Sequence, residues 1–126
     1  MKRNQINTEK APAAIGPYSQ GIRKADLVFL SMQIGIDPST QQLVSGGIHT
    51  QTRQIFDNLT EILEHAGSHL NQVVKATIFL KDMKNFKSIN DLYAQYFDSP
   101  YPARSVVEVS ELPLSAEIAI EIIAHV

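Results

Sequence analysis

Hydrophobic positions recur along this chain in two rhythms. Over residues 48–66, Ile48, Ile55, Phe56, Leu59, Ile62, Leu63 and Ala66 fall at helical spacing and form one stripe. Gly67 follows, a residue suited to the left-handed conformation that commonly ends a helix. A second stripe of Phe86, Ile89, Tyr93, Tyr96 and Phe97 predicts a helix over about 86–97, with Asn85 as its N-cap. The other rhythm belongs to strands. Residues 27–34, 73–80, 105–109 and 117–124 read as strands, and residues 18–23 as a shorter one. Asp37-Pro-Ser-Thr is a turn, and Leu112-Pro113 breaks the chain before the last strand. Residues 1–14, polar and then alanine-rich, read as an arm or edge segment.

This order, β-β-α-β-α-β-β, gives a single α+β domain in which two helices cover one face of a sheet. The pattern leaves a surplus. Val73 and Phe79 alternate with Val74, Ala76, Ile78 and Leu80, and Ile123 lies opposite Ile118 and Ile122. Strands apolar on both faces need a second cover, so the expectation is an oligomer in which sheets pack against sheets.

Composition narrows the chemistry. The 126 residues hold no cysteine, which removes disulfides, thiol nucleophiles and thiolate metal sites. Net charge is −2, without the basic excess that favours nucleic acid. The longest apolar run is four residues, Leu27 to Leu30, too short to span a membrane. The first residues carry a basic pair but no apolar stretch behind it, unlike a secretory signal. His49, His65, His69 and His125 are too scattered to suggest a metal cluster. Ser45-Gly-Gly lacks the lysine and spacing of a phosphate loop.

Arg104 is the foremost candidate. Tyr101-Pro-Ala stiffens the approach to it and an apolar strand follows, so its guanidinium has a defined direction and suits a carboxylate. Tyr18, in a turn-rich stretch, offers a hydroxyl to a pocket. Asn90 lies on the apolar side of the second helix, where an amide must be hydrogen-bonded. Glu108, Glu117 and Glu121 are carboxylates on the last two strands, and Glu121 could orient a water. Structural packing or a solvated ion pair is the commoner fate of each of these residue types.

Four blocks carry a resemblance: Ala-Pro-Ala-Ala-Ile-Gly-Pro-Tyr-Ser-Gln-Gly over 11–21, Val-Lys-Ala-Thr-Ile-Phe-Leu-Lys-Asp over 74–82, Phe-Lys-Ser-Ile-Asn-Asp-Leu-Tyr over 86–93, and Tyr-Pro-Ala-Arg-Ser-Val-Val-Glu-Val over 101–109. In order and spacing they resemble the RidA family, also called YjgF, from about residue 8 to the end. The resemblance implies a chorismate-mutase-like fold and a cytoplasmic homotrimer, its three sheets forming a barrel with clefts between subunits. It implies hydrolysis of reactive enamines and imines, such as 2-aminoacrylate or 2-iminobutyrate, to 2-keto acids and ammonia without a cofactor. On that pattern Arg104 grips the substrate carboxylate, and Tyr18, Ser31, Met32, Asn90 and Val106 lie at the cleft. Met32 stands where relatives often have glycine, and Val106 where they usually have cysteine. Counting from Arg104 places Ala119 at the position of the family's water-orienting glutamate. Glu121, two residues on and on the same face, is the alternative carboxylate. The competing expectation is a trimer that binds small carboxylates without hydrolysing imines.

Overall fold

The computed structural model describes residues 2–126. Its main sheet contains β1 (Asn4–Ile6), β2 (Gly21–Lys24), β3 (Leu27–Gln33), β6 (Val73–Leu80), β7 (Ala103–Glu108) and β8 (Ile118–His125), in the order β1-β2-β3-β8-β6-β7. All neighbours are antiparallel except β6 and β7, which are parallel. That pair needs a crossover, and α2 (Phe86–Tyr93) provides it. A hairpin of β4 (Ile36–Asp37) and β5 (Gln42–Leu43) precedes α1 (Ile48–His65). Gly67 follows α1 with φ of 81°, the conformation expected of it.

The core lies between α1 and one sheet face. Ile55, Phe56, Leu59, Ile62 and Leu63 of α1 meet Val28, Leu30, Ala76, Ile78, Leu80, Ile118, Ile120 and Ile122. The helical and two-residue periodicities thus converge on one interior. α2 ends at Tyr93, four residues short of the expected limit, and the chain turns over residues 94–96. The aromatic stripe still packs: Tyr96 stacks on Phe56 at 4.0 Å, and Phe97 meets the same ring edgewise at 5.8 Å.

Asn85 holds the N-cap position of α2, as expected, but its side chain makes no capping bond. It is helical itself (φ −81°, ψ −4°) and closes a 3₁₀ turn, Met83–Asn85, that starts the coil earlier. Asp82 caps this turn, accepting from the Lys84 amide at 2.9 Å. β2 begins three residues later than expected, because Tyr18 is held in a turn by its amide's bond to the Gly16 carbonyl at 2.9 Å. Val73 and Val74 also exchange faces. Val73 joins Ala76, Ile78 and Leu80 in the core, while Val74 is 45% exposed. The register shifts between Val73 and Lys75, and the extra residue of such a bulge reverses the alternation.

The second sheet face has no helix. Phe29 and Leu27 of β3 and Val107 of β7 are each 41% exposed there. Only one end is covered, where Ile34, Leu112, Ala116 and Ala119 form a small second core. The two-faced apolar pattern of the sequence is therefore real, and the single chain leaves much of it open.

Candidate functional site

Arg104 sits on β7, an edge strand, opposite Ala76 of β6. Ala76 is a core position, so Arg104 points to the helix side of the sheet, where α2 lies. Residues 86, 90 and 93 of α2 share one helix face, being four and seven apart. All three meet the guanidinium. Nη1 donates to Asn90 Oδ1 at 2.7 Å. The guanidinium carbon lies over the Tyr93 ring at 4.8 Å and the Phe86 ring at 5.6 Å. None of these partners carries a negative charge. Among the described residues the only ion pair joins Lys81 to Glu111, at 3.7 Å, so Arg104 remains uncompensated. Burial pushes the Tyr93 phenol above its ordinary range, opposed by the Arg104 charge.

A second group of expected residues assembles elsewhere. Tyr18, Ser31 and Met32 line a cavity of about 650 Å³, together with Pro12, Ile15 and Leu114. Gly16 makes the turn beneath Tyr18 with φ of 117°, a conformation that L side chains rarely adopt. The Tyr18 hydroxyl accepts from the Ile15 amide at 3.3 Å. Ser31 and Met32 occupy a register shift between β3 and β8. Such bulges re-aim side chains and are frequent beside active sites. Ser31 is held there twice: its amide donates to the Gln20 carbonyl at 3.0 Å and its hydroxyl to the Ser19 carbonyl at 2.6 Å.

Gln20, which the sequence did not single out, fixes the cavity wall. Its side chain is buried. It donates to the carbonyls of Thr8 at 3.0 Å and Pro12 at 2.8 Å, and accepts from the Thr8 amide at 2.8 Å. The arm that carries Pro12, Ala13 and Ile15 is thereby pinned over the sheet. Among the described residues no acidic, basic or histidine side chain lines the cavity.

The two groups do not meet within one chain. The row Arg104, Ala76, Ile122, Leu30 runs from β7 to β3, three strand spacings or roughly 14 Å. Neither Arg104 nor Asn90 lines the cavity. Val106 shares the face of Arg104, opposite Ile78, and packs on the core away from the cavity.

Glu121 joins neither group. It pairs with Thr77, two strands from Ser105, and so lies on the sheet face opposite Arg104. There it lines a small hollow of about 190 Å³ with Phe29, Lys75 and Thr77. Arg104 and Glu121 thus do not meet within one chain; the cleft implied by the resemblance lies between subunits. Ala119, the other position considered for a carboxylate, is buried among Ile34, Leu112 and Ala116. Among the described residues no cluster of histidine and carboxylate side chains could hold a metal.

The aromatic partners of Arg104 were also missed as functional residues. Phe86 and Tyr93 were legible only as core positions, although their spacing about Asn90 was a usable signal.

The family model described as Endoribonuclease L-PSP matches residues 8–126. A chloroplastic Reactive Intermediate Deaminase A of Arabidopsis thaliana is 49% identical over 98% of the chain, which spans 66% of that protein. The 2-iminobutanoate/2-iminopropanoate deaminase of Homo sapiens is 46% identical over 97% of the chain and 89% of its own length. A crystal structure of E. coli TdcF with bound serine superposes with a TM-score of 0.91 at 37% identity, covering 98% of each chain.

Proposed function

Since the chain belongs to the Endoribonuclease L-PSP family, which is the RidA/YjgF family, we propose that it hydrolyses 2-imino acids to 2-keto acids and ammonia, with Arg104 as the carboxylate anchor. The observation that carries this reading is the state of Arg104. It is held by an amide oxygen and two aromatic rings, with no acid to neutralise it. A guanidinium so placed presents its remaining N–H donors to a carboxylate, which it can grip through two parallel bonds. The relatives named as imine deaminases and the relative with bound serine support a small amino-acid-like ligand.

The reaction asks little of the protein. Water adds to the C=N carbon, the tetrahedral adduct loses ammonia, and a C=O bond replaces C=N. The imine carbon is already electrophilic, so orientation supplies much of the acceleration. Arg104 fixes the carboxylate end. The apolar cavity beside Tyr18 and Met32 takes the side chain and limits the water around the reacting carbon.

For both half-sites to act on one substrate, the edge carrying Arg104 must meet the cavity of a neighbouring copy. The reading is a homotrimer whose open sheet faces pack on one another. Exposed Leu27, Phe29 and Val107 on those faces support it, as does the unpaired outer edge of β7.

A second reading has its own support. Ala119 is sealed in an apolar cluster and no carboxylate lines the cavity, which favours binding of a small keto acid without hydrolysis. One experiment separates the two. Wild-type protein should speed the decay of 2-iminobutyrate well above the buffer rate, and Arg104→Ala should return it to that rate. Decay at the buffer rate with wild-type protein, together with binding of 2-oxobutyrate, would establish the second reading instead.

A further inference from the structure

Every polar or aromatic group that holds Arg104 comes from one face of one short helix. Phe86, Asn90 and Tyr93 stand there at successive turns. The three differ in what they contribute. Asn90 fixes one nitrogen of the fork through a directed bond at 2.7 Å. The rings of Phe86 and Tyr93 attract the cation through their negative faces, and they do so without occupying an N–H donor.

Tyr93 is bound into the interior. It is 4% exposed, meets Phe56 edgewise at 6.2 Å and lies 4.7 Å from the Phe97 ring. Its hydroxyl is buried and has no hydrogen-bond partner. A buried tyrosine usually finds one. The hydroxyl therefore does not account for this side chain; its ring does, packing on the aromatic core and under the guanidinium. Phe86, by contrast, is 36% exposed at the helix start, where little core packing explains a large aromatic residue. The exposure of Phe86 points away from simple space-filling, whereas Tyr93 offers its ring to the core and to the guanidinium at once.

We propose that Phe86 and Tyr93 are positioning residues for the carboxylate anchor. They form an aromatic cradle that holds the Arg104 guanidinium in its binding direction while leaving its charge and its free donors available. An acidic residue in the same place would hold the arginine equally well and would neutralise it. The neutral cradle gives direction without that loss. This inference rests on the reading of Arg104 as the anchor.

The test compares Phe86→Leu, Tyr93→Leu and Tyr93→Phe with wild type and with Arg104→Ala. Binding of 2-oxobutyrate is followed by calorimetry, turnover of 2-iminobutyrate by ammonia release, and folding by thermal melting. Phe86→Leu should raise the Kd and the KM together by roughly three- to tenfold, with kcat changed by less than about twofold. Tyr93→Leu should weaken binding at least as much, and Tyr93→Phe, which keeps the ring, should recover most of that loss. A purely structural role would lower the melting temperature and leave Kd unmoved. Folded Phe86→Leu and Tyr93→Leu proteins with wild-type Kd would overturn the cradle. If Arg104→Ala loses binding in that same experiment, the anchor stands and only the cradle falls. If Arg104→Ala binds as wild type does, both fall together.

Discussion

The two halves of the candidate site are built on opposite principles. Around Arg104 a full charge is kept in place by neutral partners, and all of them come from α2. Around Tyr18 and Met32 no side chain is charged, and the available hydroxyls already have partners in the chain. One half can recognise a carboxylate and offers little shelter. The other offers shelter and has no charge with which to recognise anything. On the proposed reading each half needs the other, which is why an edge strand and an open sheet face belong to the same account.

Altering the charged half should have the largest effect. Asn90→Asp changes almost no volume but places a carboxylate where the amide oxygen now sits, 2.7 Å from the guanidinium. An internal ion pair would then compete with the ligand. Affinity for 2-oxobutyrate should fall by roughly thirtyfold or more, with the melting temperature held or raised. Calorimetry and thermal melting would distinguish this from simple unfolding.

The sheltered half depends on buried polar bonds instead. Gln20→Leu would strand the carbonyls of Thr8 and Pro12 and the amide of Thr8. A loss of about 2–3 kcal/mol in stability is expected, since buried groups left unpaired carry their full desolvation cost. Urea unfolding reads this directly, and weaker ligand binding should accompany it as the arm loosens.

Glu121 sharpens the comparison by its indifference. It belongs to neither half and faces away from Arg104. Glu121→Gln should change kcat/KM by less than about threefold, against the 10²–10⁴ typical of losing an acid–base group. A loss of that larger size would return Glu121 to the catalytic role that the sequence first suggested.

Much of the scaffold was legible in residue order. The stripe of α1, its glycine stop and the full extent of β6 follow from periodicity alone. So did the apolar surplus of the sheet, because alternation reports both faces at once. Bulges were not legible. The extra residues near Val74 and at Ser31–Met32 leave no compositional mark, yet they reverse side-chain faces where they occur. α2 starts at Phe86 as expected, but the 3₁₀ turn Met83–Asn85, capped by Asp82, that leads into it was not legible.

In the site, Arg104 stood out because its residue type and its rigid approach agree. Tyr18 was legible as a hydroxyl in a turn-rich stretch, Ser31 and Met32 only by resemblance, and the three do share one cavity. Arg104 and Glu121 lie on opposite sheet faces of one chain, so only a neighbouring copy could bring them to one cleft. Gln20 escaped notice because one buried glutamine resembles any other until its partners are known.

The central claim is that one copy supplies the guanidinium and another the cavity. It is tested most directly by mixing two inactive variants, Arg104→Ala and a cavity-blocked Met32→Trp, unfolding them together and letting them reassemble. In a ring of mixed subunits, about a quarter of the junctions would pair an intact arginine with an intact cavity. Imine hydrolysis should reappear at that fraction of the wild-type rate. A mixture that assembles normally yet stays as inactive as either parent would contradict the account.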